Sequence, residues 1–184
     1  MIYLISGKAQ HGKDTFAYLL QQKLPGKTVI LHYADHVKAV CRQVYGWDGV
    51  KDEAGRKMLQ EIGTDKIRAR NPKYWVNVVF DLIDVIRDDF DNFIIPDTRF
   101  KNEIDECKRR FPYEVAVLRV IRVGFENNLT PEQREHPSET DLDGYPTLDH
   151  FIRLQEGIDK VGQVVDYFVE YWVKGFYEKI KEVS

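Results

Sequence analysis

Cysteine is scarce. The 184 residues hold only Cys41 and Cys107, far apart and with no Cys-x-x-Cys pair. That argues against a disulfide framework or a zinc site and fits a reducing cytoplasm. Positive charge is not in excess either. Lysine and arginine number 27 against 30 acidic residues, a formal net charge of −3. No global field therefore draws in a nucleic-acid polymer, although a mononucleotide needs only a local basic pocket. The interleaved aromatic and basic residues of a single-strand binder are missing too. No apolar run approaches the roughly 20 residues of a membrane span. The run at residues 2–5 is short and has no basic flank, so it reads as a strand rather than a signal peptide. No repeat or low-complexity segment interrupts the chain. Its length predicts one domain over residues 1–184, and its apolar content of 43% can fill a sizeable core.

What the sequence does contain is concentrated at its start. Ile2 to Ile5 are apolar, too few for a helix, and are followed by Ser6 and Gly7. Gly7 and Gly12 frame a loop that ends in Lys13. Phe16, Ala17, Leu19, Leu20 and Leu24 then recur at helical spacing until Pro25-Gly26. Strand, glycine loop, lysine and helix are the context a P-loop requires. Glycines let backbone N–H groups close around phosphate oxygens, the helix start adds its positive end, and the lysine supplies a point charge. Magnesium is usually held by a Ser or Thr directly after that lysine. Here Asp14 stands there and Thr15 follows. A glycine turn that binds nothing is the competing reading; the agreement of strand, loop and helix favours the P-loop.

Further strands are expected at residues 28–33, 92–97, 114–123 and 148–154. Helices are expected at 34–44, 57–70, 74–87 and 101–110, with 46–55 a polar connection. A last helix carries an apolar stripe from Ile158 through Val161, Val165, Phe168 and Trp172 to Phe176 and Ile180. This alternation predicts an α/β fold with a doubly wound, mostly parallel five-stranded sheet. Ligands then bind at the carboxyl ends of the strands. Gly7 to Lys13, Asp35 and Asp97 all fall at such ends. Asp97 is the candidate for the carboxylate of a second strand facing metal and phosphates; a strand-end Asp that merely caps a turn is the alternative. Pro96 is expected at the end of its strand, where pairing stops. Residues 122–145 are charged and unperiodic, the pattern of a lid. Their Arg134 and the 136–139 stretch are expected to move toward the phosphates when both substrates bind. His11 is expected to point to solvent.

Taken together, several stretches resemble the deoxynucleoside monophosphate kinases of the bacteriophage type. They are Ile5-Ser6-Gly7-Lys8 to Gly12-Lys13-Asp14-Thr15, Tyr33-Ala34-Asp35-His36-Val37-Lys38, and Leu59 to Asp65 through Arg68 to Trp75-Val76. Asp97-Thr98-Arg99-Phe100-Lys101-Asn102-Glu103 and His136-Pro137-Ser138-Glu139 complete the ordered set. The Gly-Lys-Asp-Thr ending belongs to that family's pattern. The resemblance implies transfer of a phosphoryl group from ATP to a deoxynucleoside monophosphate, with Mg2+, in the cytoplasm (the host's, for a phage protein). Lys13, Asp97 and Arg99 would be catalytic. Gly7, Lys8, Gly12, Lys13, Asp14 and Thr15 would bind ATP, and Asp14, Thr15 and Asp97 would face the metal, Asp14 directly or through water. Asp35, Lys38, Arg68, Trp75, Arg99 and Glu139 would lie toward the acceptor, within a helical region at residues 35–90. Arg68 and Arg99 are the candidates for the acceptor phosphate, because a planar guanidinium matches phosphate oxygens bidentately. Arg56, Arg122 and Arg134 are further candidates. Arg134 and His136 belong to the lid, and a base contact or a lid contact both fit residues 136–139. Another P-loop small-molecule kinase, acting on phosphomevalonate or dephospho-coenzyme A, is a rival reading, as is a nucleotide-binding switch without catalysis. A homodimer is compatible with the sequence, which does not give the oligomeric state.

Overall fold

The computed structural model describes residues 1–146 and 148–175. Five strands, β1 (Ile2–Ser6), β2 (Thr28–Ile30), β3 (Asn92–Thr98), β4 (Val115–Arg122) and β5 (His150–Leu154), form one sheet in the order β2-β3-β1-β4-β5. Every pairing is parallel. Central strands of such a sheet are covered on both faces, which is why β1 is buried along its whole length.

The alternation of side chains along β1 assigns its two faces. Tyr3 and Ile5 pack with Phe16, Ala17 and Leu20 of α1 (Lys13–Lys23) and with Val161, Val165 and Phe168 of α8 (Ile158–Phe168). Ile2 and Leu4 point the other way. They meet Trp75, Val76, Val79, Phe80 and Ile83 of α4 (Tyr74–Ile86), and Ile104 and Cys107 of α5 (Lys101–Arg110). A third cluster, Cys41, Trp47 and Ile62, holds together the helical region formed by α2 (Tyr33–Tyr45) and α3 (Glu53–Gln60). The C-terminal helix continues in wider π turns over Val169–Val173. Val169 and Val173 carry on its buried stripe, Ile158 is exposed, and Phe176 and Ile180 lie outside the described residues.

Several expectations are corrected. The second strand ends at Ile30, and Tyr33 already opens α2. The Asp97 carboxylate accepts the N–H groups of Tyr33 (3.1 Å) and Ala34 (2.8 Å), starting the helix from 63 residues away. Pro96 is not at a strand end. Leu4 pairs with Ile95 and Ser6 with Thr98, so Pro96 and Asp97 together oppose Ile5 in a β-bulge. A bulge removes the ladder bond that proline cannot make and redirects the side chain that follows. The connection read at 46–55 contains the start of α3, where Asp52 accepts the Gly55 N–H at 2.8 Å. α3 runs on as π-helical turns over Glu61–Arg68. The unperiodic 122–145 stretch contains two short helices, α6 (Pro131–Glu135) and α7 (Pro137–Thr140), each with proline at its first position.

Candidate active site

The first connection, from β1, runs toward β2; the connection from β3 runs the other way, toward β4. Between the carboxyl ends of β1 and β3 the sheet therefore opens a crevice, where ligands bind in this architecture. The P-loop leaves one side of it and residues 97–99 the other.

The P-loop needs its glycines. Gly7 has φ +149°, and a Cβ there would lie 2.5 Å from the Val120 carbonyl oxygen of β4. Gly12, at φ +86°, stands in the left-handed region directly before α1. Lys13 is only 7% exposed and donates to the Lys8 carbonyl at 2.8 Å, closing the loop on itself. Burial, reinforced by the Arg99 charge, lowers its pKa to about 7. His11 does not point to solvent: its Nδ1 accepts the Arg122 N–H at 3.3 Å, and its ring meets Phe125 edge-on. Burial, then the nearby Lys13, lowers its pKa.

Across the crevice, Glu103 of α5 organises the other wall. It is 1% exposed. One carboxylate oxygen accepts from Arg68 at 2.6 Å; the other accepts the N–H groups of Arg99 (2.6 Å) and Phe100 (3.0 Å). The Arg68 guanidinium also reaches Asn102 at 3.2 Å and lies 3.9 Å from the centre of the Phe100 ring. Its planar fork is thereby held against the wall. Sequence reasoning gave Glu103 no role, although it shares an inward face with Ile104 and Cys107 in an otherwise charged helix. That spacing was the available signal.

Between the Glu103 wall, the 129–139 segment and the helical region lies a cavity of about 340 Å³. Lys38, Arg68, Trp75, Asp97, Arg99 and Glu139 of the expected set line it, with Arg56, Gln60, Thr64 and Gln133 added. Trp75 forms its floor: its ring is buried, and its Nε1 donates to the Gly63 carbonyl at 2.9 Å. That carbonyl belongs to the π-helical turns, a geometry frequent at functional sites.

Residues 47–163, well over half of the chain, match the family described as Deoxynucleotide monophosphate kinase. The chain belongs to the deoxynucleotide monophosphate kinase family. No curated protein sequence matches it. Among solved structures, it is similar to a gluconokinase from Sinorhizobium meliloti 1021, at 9% identity and TM-score 0.52 over 96% of this chain and 95% of that one. It is also similar to shikimate kinase from Aquifex aeolicus (14%, TM-score 0.50, 92% and 96%) and a sugar kinase from Janibacter sp. HTCC2649 (13%, TM-score 0.50, 92% of both chains). At such identities the likeness shows the fold alone, an α/β architecture like that of these kinases.

Not every expected residue of the kinase reaches the cavity. Asp35 is not among the residues that line the cavity; it pairs with Lys38 at 2.7 Å and faces His32 at 3.7 Å. Asp14 and Thr15 lie on the exposed first turn of α1. His136 caps α7, accepting the Ser138 N–H at 3.2 Å. Arg134 braces its own loop through the Asn127 and Leu129 carbonyls, beside a smaller cavity lined by Lys8, His11 and Phe125. Arg122 stacks over Phe125 at 4.2 Å. The segment read as a lid is docked on the P-loop: Lys8 binds the Glu139 carbonyl at 2.6 Å and Asp143 at 2.5 Å, and Gln10 binds Asn128 at 2.6 Å. Among the described residues, no helix is long and apolar enough to cross a membrane.

Proposed function

We propose that the protein transfers the γ-phosphoryl group of ATP to the phosphate of a deoxynucleoside monophosphate. The observation that carries this reading is the cavity itself: Arg68 and Arg99 line it, the guanidinium of the first and the backbone N–H of the second held on one buried carboxylate, and Glu139, which also lines it, accepts the P-loop N–H of Ala9. An oxygen of the acceptor phosphate attacks the γ-phosphorus, the bond to the β–γ bridging oxygen breaks, and ADP leaves with that electron pair. The attacking oxygen is already anionic, so no proton needs to be taken from it. This suits Asp97, whose two oxygens each accept an α2 N–H. It positions the start of α2 rather than acting as a base. Burial raises its pKa and those two bonds oppose the shift. P-loop N–H groups and Lys13 stabilise charge on the transferring group, and Arg68 and Arg99 orient the acceptor.

The donor set suits magnesium of the kind kinases use. No group of three or more His, Cys, Asp or Glu side chains among the described residues could hold a metal. Mg2+ with ATP takes one or two carboxylates, phosphate oxygens and water. Asp14 suits that role, since its side chain is 85% exposed and faces His32 at 3.7 Å. His32 lowers the Asp14 pKa, and Asp14 raises that of His32, so the carboxylate is ionised. Thr15 and Asp97 complete the candidate ligands. When bound, the ion neutralises charge on the β- and γ-phosphates. Asp14→Asn is expected to raise the magnesium concentration needed for half-maximal turnover and to lower kcat, with little change in acceptor KM. Superimposable magnesium titrations of variant and parent would remove Asp14 from the metal site.

A coupled ATP assay over the common ribo- and deoxyribonucleoside monophosphates, with phosphomevalonate and dephospho-coenzyme A alongside, tests the function. Turnover is expected with at least one deoxynucleoside monophosphate. If folded protein turns over none of them, the reading is wrong; tight ATP binding without any acceptor would point to a switch protein.

A further inference from the structure

Glu139 carries charge where a nucleotide kinase receives phosphate. Its side chain is 8% exposed, although it belongs to a short surface helix. One oxygen accepts the P-loop N–H of Ala9 at 2.9 Å. The other is bound by the Arg99 guanidinium, which also donates to the Ser138 carbonyl at 3.2 Å. The Glu139 carboxylate is thus held by a cradle N–H on one side and the acceptor-side arginine on the other, and the Lys13 ammonium feels its charge. The backbone is fixed as well: the Glu139 carbonyl accepts from Lys8, whose ammonium is shared with Asp143, and Asp143 also binds Arg119 at 2.9 Å. A carboxylate with two such partners occupies an anion position.

We propose that Glu139 is a built-in anion that competes with donor phosphate for the P-loop and, by holding Arg99, couples the donor and acceptor sites. Polyphosphate and the Glu139 carboxylate need the same N–H and cannot both take it. Donor binding then requires Glu139 to withdraw, and its withdrawal frees Arg99 for the acceptor phosphate. Conversely, an acceptor phosphate on Arg99 loosens Glu139 and tightens the donor. The coupling is reciprocal, as linkage requires. This reverses the lid expected from the sequence: phosphate releases a contact instead of creating the first one. The competition rests on the reading of the P-loop as the donor site; only the coupling arm rests also on a deoxynucleoside monophosphate as acceptor.

The test is calorimetric titration with inorganic tripolyphosphate, without magnesium, of the parent, Glu139→Gln and Glu139→Ala. Gln keeps the shape and removes the charge; Ala removes both. Losing a charge-assisted contact that opposes the ligand is expected to tighten tripolyphosphate binding about tenfold in either variant. In the parent, a deoxynucleoside monophosphate is expected to tighten tripolyphosphate several-fold, and this synergy should vanish in Glu139→Gln. Unchanged or weaker binding in both variants overturns the proposal and makes Glu139 a ligand-binding or purely structural group. Because tripolyphosphate needs no acceptor, that result leaves the phosphoryl-transfer assay to be judged separately.

Discussion

Lys13→Met is expected to cost about 10²–10³ in turnover, the usual loss when a preorganised charge is removed from the transition state, while the protein stays folded. Lys13 is buried and bonded to the Lys8 carbonyl, and its pKa of about 7 shows how strongly that place disfavours the ammonium. Donor phosphates favour the ammonium. At pH 8 much of the free enzyme is neutral at Lys13, so donor binding should take up a proton, and donor affinity should fall as pH rises above 7. Titration calorimetry in two buffers of different ionisation enthalpy measures this uptake; it should disappear in Lys13→Met. The same shift acts on stability. Between about pH 7 and 10.5 the unfolded chain binds more protons at Lys13 than the folded chain, so this group's contribution to stability rises with pH across that window. Lys13→Met removes the rise, and near pH 7 the variant should be at least as stable as the parent. A variant that keeps near-parental turnover would mean that the loop is not the donor site.

Glu103→Ala is expected to give the largest structural loss. The substitution leaves the Arg68 guanidinium, 12% exposed, without its carboxylate, and orphans the N–H groups of Arg99 and Phe100. Breaking a buried ion pair from one side costs about 3–5 kcal/mol, which for a chain of this size lowers Tm on the order of 10 °C. Acceptor KM should rise as well, because Arg68 and the loop bearing Arg99 lose their common anchor. Glu103→Gln separates the two effects. It can still accept the N–H bonds, so it should recover much of the Tm while the acceptor KM stays raised. A Glu103→Ala protein with parental Tm and KM would show that α5 holds these arginines by packing alone.

The architecture was written in local patterns. The apolar run of β1, the glycines around the P-loop, the helical stripe of α1 and the alternation of strands and helices each depend on near neighbours. They therefore placed Lys13 and a mostly parallel sheet, which proves parallel at every pairing. Asp97 and Arg99 were marked by a strand expected to end in the crevice, although Asp97 lies inside that strand, in its bulge. What distant parts of the chain decide could not be read this way. Tyr33 opens a helix because a carboxylate 64 positions later takes its N–H. Pro96 stays inside a central strand because a bulge forms opposite Ile5. Glu103 reads as one charge among many in α5 until folding brings Arg68 and the Arg99 N–H to its two oxygens. Glu139 was expected only to lie toward the acceptor; its contacts with Ala9 and Arg99, 130 and 40 residues away, could not be read locally. Local propensity is fixed by sequence neighbours. Where a buried carboxylate finds its hydrogen-bond donors depends on which strand ends and loops the sheet order brings together, and only the tertiary structure supplies that.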